Sequence, residues 1–494
     1  MPRPADRLRP PPLAQTFIWI ILVELFALAV RATVDPDMWW HLRMGELIAT
    51  EGIPHHDTFS FTAAGHEIVA HEWGSQLMMW GIYSIAGLWG LSLVFALVPT
   101  LALWLVSRAC GGPPYLAGTL VALGAWAASP WFGVKPQLFN VLFLALFVLI
   151  LTRASERRRL TYLLALPPLT AVWANLHSGY LVGVALLLVH VVGDAFDLRL
   201  GREPRVARTD RELRLMIVIA LACMAAALLN PNGVRLVRYA VETLRTPAFQ
   251  QHIAEWRSPE FRRPAYWGFG AMLALSAVVL TYAPRRPAAT EALLVLGTAA
   301  AALTSVRHIP LFAVVGTPVL MVHLREILER APRRSVTAAL LSPGGSTGWT
   351  GPIALAAAVA FAVVLSTTRI GGNADAVAGT YPVAAVDFLT RTGLGADHGY
   401  NPYDWGGYLI WRRIPVFVDG RADVYGEPFF VEQLKVALGT PDWSAPLDKH
   451  GCTYALVQRN SVEAALLAGS SRWCERYQDA LARVYVRCDA SASR

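Results

Sequence analysis

Residues 34–43 read Val-Asp-Pro-Asp-Met-Trp-Trp-His-Leu-Arg, and this short stretch carries the most informative chemistry in the chain. Asp35 and Asp37 stand two residues apart, and His41 follows Asp37 by four. If Asp37 opens a helix, it shares a face with His41. A carboxylate pair can hold a hard divalent cation such as Mg or Mn, and a single carboxylate can act as general base. A plainer role also fits, with Asp35 or Asp37 as helix N-cap and the Trp39–Trp40 pair as an interfacial anchor. His71-Glu72-Trp73 lies at the far end of the same loop, from where it can fold back against Asp37. Glu72 would then complete an acid/base or metal site with Asp35 and Asp37; the alternative is that it caps its own helix. His55, His56 and Asp57 follow Pro54 and read as turn chemistry.

Further polar residues stand at the ends of apolar runs. Asn175 and His177 lie between two such runs, Asn230-Pro-Asn-Gly233 reads as a turn, and Glu255 precedes Trp256. Arg307-His308 opens another run, where an Arg can hold a lipid phosphate by bidentate hydrogen bonds or snorkel to the interface. Taken jointly, polar groups gathered at helix ends on one side line a cavity. The run Asn-Pro-Tyr403-Asp404-Trp405-Gly-Gly-Tyr408 precedes Val418-Asp-Gly-Arg421 and Tyr425. Aromatics, an Asp and paired Gly suit close approach to a flat polar ligand such as a sugar or peptide, or else a turn that opens a helix.

The elements that carry these residues are set by lipid. Hydrophobic residues make up 55% of the 494 and charged ones only 16%, against about a quarter charged in a soluble protein. Mean hydropathy is +0.41, and the 17 Trp suit bilayer interfaces. Apolar runs near 16–34, 87–107, 114–131, 136–152, 160–176, 179–195, 213–230, 266–283, 288–304, 308–323 and 351–368 approach the ~20 residues a span needs. About eleven transmembrane helices are therefore expected, the first uncleaved. The net charge of +8 is not a nucleic-acid signal, because the Arg residues alternate by segment. With the N-terminus inside, the six cytoplasmic stretches hold 20 Lys and Arg and the short outer ones hold 10, as the positive-inside rule requires. An odd helix count then puts the C-terminal region outside.

The expected architecture is a cytoplasmic segment 1–15, an α-helical polytopic membrane domain 16–370 with a first outer loop 35–86, and a small extracytoplasmic α/β domain 371–494. In that last part, 383–392, 430–438 and 462–467 have helical spacing, while 416–419, 454–458 and 482–486 read as strands. Their alternation predicts a small, mostly parallel sheet. One disulfide among Cys452, Cys474 and Cys488 is compatible with an outside location.

In this order the features resemble the GT-C superfamily of polyprenyl-phosphate-dependent glycosyltransferases. The Asp35-to-Arg43 stretch looks like the acidic first-loop motif of oligosaccharyltransferase catalytic subunits. Tyr403-Asp-Trp-Gly-Gly-Tyr408 is similar to their sequon-reading motif in altered order, and the second acidic motif is matched only loosely by His71-Glu72. The resemblance implies Asp37 as base or metal ligand, supported by Asp35 and Glu72, with Arg307 on the donor's phosphate. It implies substrate contacts from His41, His71, His308, Asn175, His177, Glu255, Tyr403, Asp404 and Trp405. The partners it implies are a polyprenyl-phosphate-linked sugar, a glycan, lipid or protein acceptor, and membrane lipid. A transporter or flippase of lipid-linked saccharides, or a non-catalytic envelope-assembly protein, is the alternative. A transporter calls for polar groups deep within its spans, and Glu24 is the clear exception in spans otherwise poor in them.

Overall fold

A chain in hydrocarbon must satisfy its backbone polar groups internally, so apolar runs become helices. The computed structural model describes residues 13–200, 208–246, 251–332, 335–342 and 348–488; the segment expected in the cytoplasm lies, for residues 1–12, outside them. Each of the eleven apolar runs is helical in whole or in large part. Six helices among the described residues are long and apolar enough to cross a membrane: Trp73–Cys110, Leu138–Glu156, Tyr180–Arg199, Pro264–Tyr282, Val306–Arg330 and Thr350–Gly371. Thr16–Ala29, Leu160–Leu176 and Ala289–Thr304 are apolar but shorter. The chain is thus an integral membrane protein, and six of the eleven expected spans meet the requirement of length and composition. The helix expected at 71–85 and the span expected at 87–107 together make up Trp73–Cys110, two helices that meet at a kink where Gly87 leaves helical geometry with φ 57° and ψ −156°.

The chain forms two compact units. The first comprises Met1–Arg31, Ser92–Gly233 and Ala254–Ile370; the second comprises Ala32–Leu91, Val234–Ile253 and Gly371–Arg494. The first outer loop therefore folds with the C-terminal region. In the first unit, the buried Ile309–Arg330 helix packs against Pro114–Ala128, Leu138–Glu156, Trp267–Tyr282 and Ala289–Thr304.

In the second unit, Pro36 at the first helical position pre-sets φ for the Pro36–Glu51 helix, which packs on the helix Tyr403–Trp411. Trp39 is buried between them rather than anchored at an interface, with its ring edge-on to Tyr381 and Tyr408 at 5.6 and 5.2 Å. Gly407 is the point of closest approach: a methyl there would lie 2.3 Å from the Pro36 carbonyl oxygen. Gly406 faces the backbone of Val418 in the same way. The paired glycines thus admit the protein's own backbone, where the sequence suggested an external ligand.

The helices expected at 383–392, 430–438 and 462–467 appear as Val383–Arg391, the end of Ala422–Leu438, and Val462–Ala468. Strands β1 (Gly399–Tyr400), β2 (Tyr454–Gln458), β3 (Trp473–Gln478) and β4 (Ala482–Arg487) lie in the order β1-β2-β4-β3. Only the two-residue β1 is parallel to its neighbour; β2–β4 and β3–β4 are antiparallel. The expectation of a mostly parallel sheet is corrected here, because three residues join β3 to β4 and a parallel return needs a crossover of a dozen or more. The expected strand at 416–419 lies outside the sheet. Its backbone instead pairs with the first outer loop, through Val416 N–H to Phe59 O at 3.1 Å and Phe61 N–H to Val416 O at 3.2 Å. Cys474 and Cys488 form the disulfide, and Cys452 is a buried free thiol.

Gly407→Ala pushes one backbone against another, so it should destabilise the protein by about 1–3 kcal/mol. Gly379→Ala, where no atom lies within 4 Å, should leave stability unchanged. Thermal melting in detergent compares the two.

Candidate functional site

Asp35 caps the Pro36–Glu51 helix by accepting the Asp37 backbone N–H at 3.1 Å. That places Asp37 in the first turn, where the helix dipole favours negative charge. The Asp37 carboxylate accepts the Trp40 indole N–H at 3.0 Å and remains partly open to solvent. One turn on, the buried His41 faces Glu72, with Nδ1 at 3.5 Å from the carboxylate. Gln76 shares that imidazole nitrogen at 3.2 Å. The His71-Glu72 segment therefore folds back onto the Pro36–Glu51 helix, with Glu72 itself only 3% exposed.

The other Glu72 oxygen lies 3.4 Å from His71 Nε2, and the His71 ring stacks on Tyr239 at 4.4 Å. Burial opposes a charged His71, but the carboxylates of Glu72 and Asp423 outweigh it and raise the imidazole above its ordinary value. Tyr403 stands amid four acids. Burial first, then the charges of Asp37, Asp419, Asp423 and Asp404, push its hydroxyl well above the usual phenol range. Burial also raises the Asp404 and Asp423 carboxyls, although both are open to water.

Behind them lies a buried ion network. The Arg421 guanidinium grips Asp419 through Nε at 2.8 Å and Nη2 at 2.7 Å, and it donates to Asp57 from Nη1 at 2.6 Å. Tyr425 donates its hydroxyl to Asp419 at 2.5 Å, and Asp57 accepts the Ser60 N–H and hydroxyl at 3.0 and 2.5 Å. Asp57 does shape a turn, as expected, and it also spans 364 positions of chain to reach Arg421. Trp405 donates its indole N–H to the Thr380 carbonyl at 3.1 Å from a buried position, and Tyr403 donates to the Gly420 carbonyl at 2.9 Å. Both therefore serve the unit's own packing.

The first unit holds a cationic cluster. Lys135 pairs with Glu255 at 3.1 Å, and the Arg307 guanidinium lies 4.4 Å from the centre of the Trp256 ring. Burial would raise the Glu255 carboxyl, but Lys135, Arg307 and His177 together hold it below the usual range. Arg307, Glu255 and His177 thus come together as the sequence suggested. Asn175 and His308 turn to backbone carbonyls instead, of Ala171 at 2.8 Å and Ala301 at 3.1 Å. The sequence reading missed Lys135, although it is one of only three lysines in an Arg-rich chain and the only one before residue 435. It also missed Asp423, two residues beyond Arg421, and a buried pair of Arg208 with Asp194 at 2.8 Å. Asp194 lies near the C-terminal end of Tyr180–Arg199, so polar chemistry is found at both ends of that helix.

Among the described residues, no group of three or more His, Cys, Asp or Glu side chains is arranged to hold a metal ion. Asp35 is engaged as a cap, Asp37 by an indole and Glu72 by two imidazoles. No chemical step is assigned to a cation.

At the level of sequence, no family profile and no curated protein matches this chain. Its fold is nevertheless similar to that of solved structures at low identity. The archaeal oligosaccharyltransferase AglB from Archaeoglobus fulgidus, solved with an inhibitory peptide and a dolichol-phosphate, superposes with a TM-score of 0.54 at 11% identity, over 90% of this chain and 69% of that one. ArnT from Cupriavidus metallidurans, solved with undecaprenyl phosphate, gives 0.51 at 15% identity over 97% and 98%.

Removing one partner of a buried ion pair strands the other, so Asp57→Ala should cost about 3–5 kcal/mol. Glu67→Ala, which breaks the exposed pair with Arg235, should cost less than about 1 kcal/mol. Chemical denaturation in detergent measures both.

Proposed function

We propose that this protein is an inverting glycosyltransferase that takes its sugar from a polyprenyl-phosphate donor on the extracytoplasmic side of a bacterial-type cytoplasmic membrane. The observation that carries this reading is Asp37, a partly open carboxylate fixed at a helix start, in a chain with the GT-C fold. The excess of Lys and Arg on alternate segments supports an inside N-terminus and an outside C-terminal region.

The reaction asks for two things. Lipid phosphate is already a leaving group, so the protein must deprotonate the acceptor and stabilise the departing charge. The acceptor oxygen attacks the anomeric carbon while the bond from that carbon to the phosphate oxygen breaks, and its electron pair stays on the lipid phosphate. The acceptor's proton passes to the Asp37 carboxylate. Arg307 and Lys135, in the first unit, are cations of the kind a lipid phosphate calls for, Arg307 through its planar fork and Lys135 as a point charge. Acceptors are glycans, lipids or proteins with a nucleophilic group on the outer side.

Asp37→Asn should lower transfer by about 10²–10⁴-fold, the usual contribution of a general base, with membrane insertion unchanged. The assay is release of undecaprenyl phosphate from undecaprenyl-phosphate-linked hexoses, with envelope glycolipid extract as acceptor. Near-wild-type turnover would remove Asp37 from the mechanism. In the same assay, Arg307→Ala or Lys135→Ala should raise KM for the donor roughly 10- to 100-fold, as loss of a charge-assisted hydrogen bond of ~1.5–3 kcal/mol implies. Treatment with EDTA should leave the rate unchanged; a loss restored by Mg or Mn would assign a cation after all.

A further inference from the structure

The loop Asp419-Gly420-Arg421 stands directly against the Asp37 carboxylate. A methyl built on Gly420 would lie 1.9 Å from Asp37 Oδ1 and 3.4 Å from Trp40 Nε1. The same Oδ1 accepts the Trp40 indole N–H at 3.0 Å. One carboxylate oxygen is therefore held between an indole donor and the bare Cα of a glycine, and no larger residue fits at 420 without moving it.

The loop itself is immobilised from every side. Asn401 donates from Nδ2 to the Val418 carbonyl at 2.7 Å and accepts the Phe417 N–H at 2.9 Å. Tyr403 donates to the Gly420 carbonyl at 2.9 Å. Gly406 allows Val418 and Asp419 to approach its own helix closely. Asp419 is fully buried and clamped bidentately by Arg421, whose guanidinium also lies 6.0 Å from the centre of the Trp40 ring. The network thus braces both walls of the slot, Gly420 and Trp40.

We infer that the Asp419-Gly420-Arg421 loop is the positioning device for the Asp37 carboxylate, with Gly420 and Tyr403 as positioning residues. The inference rests on Asp37 being the base. A lone Asp side chain rotates about two bonds, and a base acts only within hydrogen-bond reach of the proton it removes. A rigid slot in place of a free rotor supplies that placement before the acceptor arrives.

The test uses the full-length protein in detergent. In Gly420→Ala the new methyl must displace the carboxylate by about 1 Å, and a misplacement of that size costs on the order of 10²-fold in kcat, with KM for the donor unchanged. Tyr403→Phe frees the Gly420 carbonyl more gently and should lower kcat about fivefold, the effect of one net hydrogen bond of ~1 kcal/mol. A readout independent of turnover is carbodiimide labelling with glycine ethyl ester, followed by mass spectrometry. Labelling of Asp37 should change severalfold in both variants while that of Asp404 does not. If Gly420→Ala fails to fold, Tyr403→Phe decides the matter by the same two measurements. Unchanged Asp37 labelling overturns the inference, as does full kcat in a variant when Asp37→Asn is inactive. An active Asp37→Asn instead overturns the functional reading, and labelling still judges the slot.

Discussion

Arg421 is the charge around which the second unit is organised. Taking a guanidinium out of water costs several kcal/mol, which close partners must offset. Here Asp419 and Asp57 supply two carboxylates, Tyr425 supplies a hydroxyl to Asp419, and the Phe59 ring lies 5.0 Å from the guanidinium carbon. Asp57 belongs to the first outer loop and Arg421 to the C-terminal region. Arg421 already holds Asp419 of its own segment, and its second pair, with Asp57 across 364 positions of chain, ties sequence-distant parts into one compact unit.

The surroundings of Asp37 inherit their geometry from that constraint. Once Arg421 fixes Asp419, the Gly420 backbone is set against Asp37, and the capped start of the Pro36–Glu51 helix brings Trp40 to the same carboxylate. Glu72 closes the arrangement one turn further on, between two imidazoles. A buried carboxylate shared between two imidazoles holds His41 in one orientation. Asp37 is thus a partly open member of a set in which Asp419, Arg421 and Glu72 are buried.

The first unit solves a different problem. Its interior is apolar, and its charges appear where helices end: Lys135, Glu255 and Arg307 in one cluster, Arg208 and Asp194 in another. Charges at such depths persist only when paired or hydrogen-bonded. The likeness in fold to AglB and ArnT comes with only 11–15% identity.

Much of this was written in the chain itself. Hydropathy period and length fix where helices form in lipid, and Asp35-Pro36 announces a helix start because a cap and a pre-set φ are local chemistry. The helix over 383–391 and strands β2 and β4 are equally local in origin. What the sequence could not encode legibly is anything that depends on a partner hundreds of residues away. The Asp57–Arg421 pair, the burial of Trp39 against Tyr381 and Tyr408, and the reason for glycine at 407 and 420 all belong to that class. A glycine's role is defined by what approaches it, and a buried charge's by what neutralises it; tertiary contact alone supplies both.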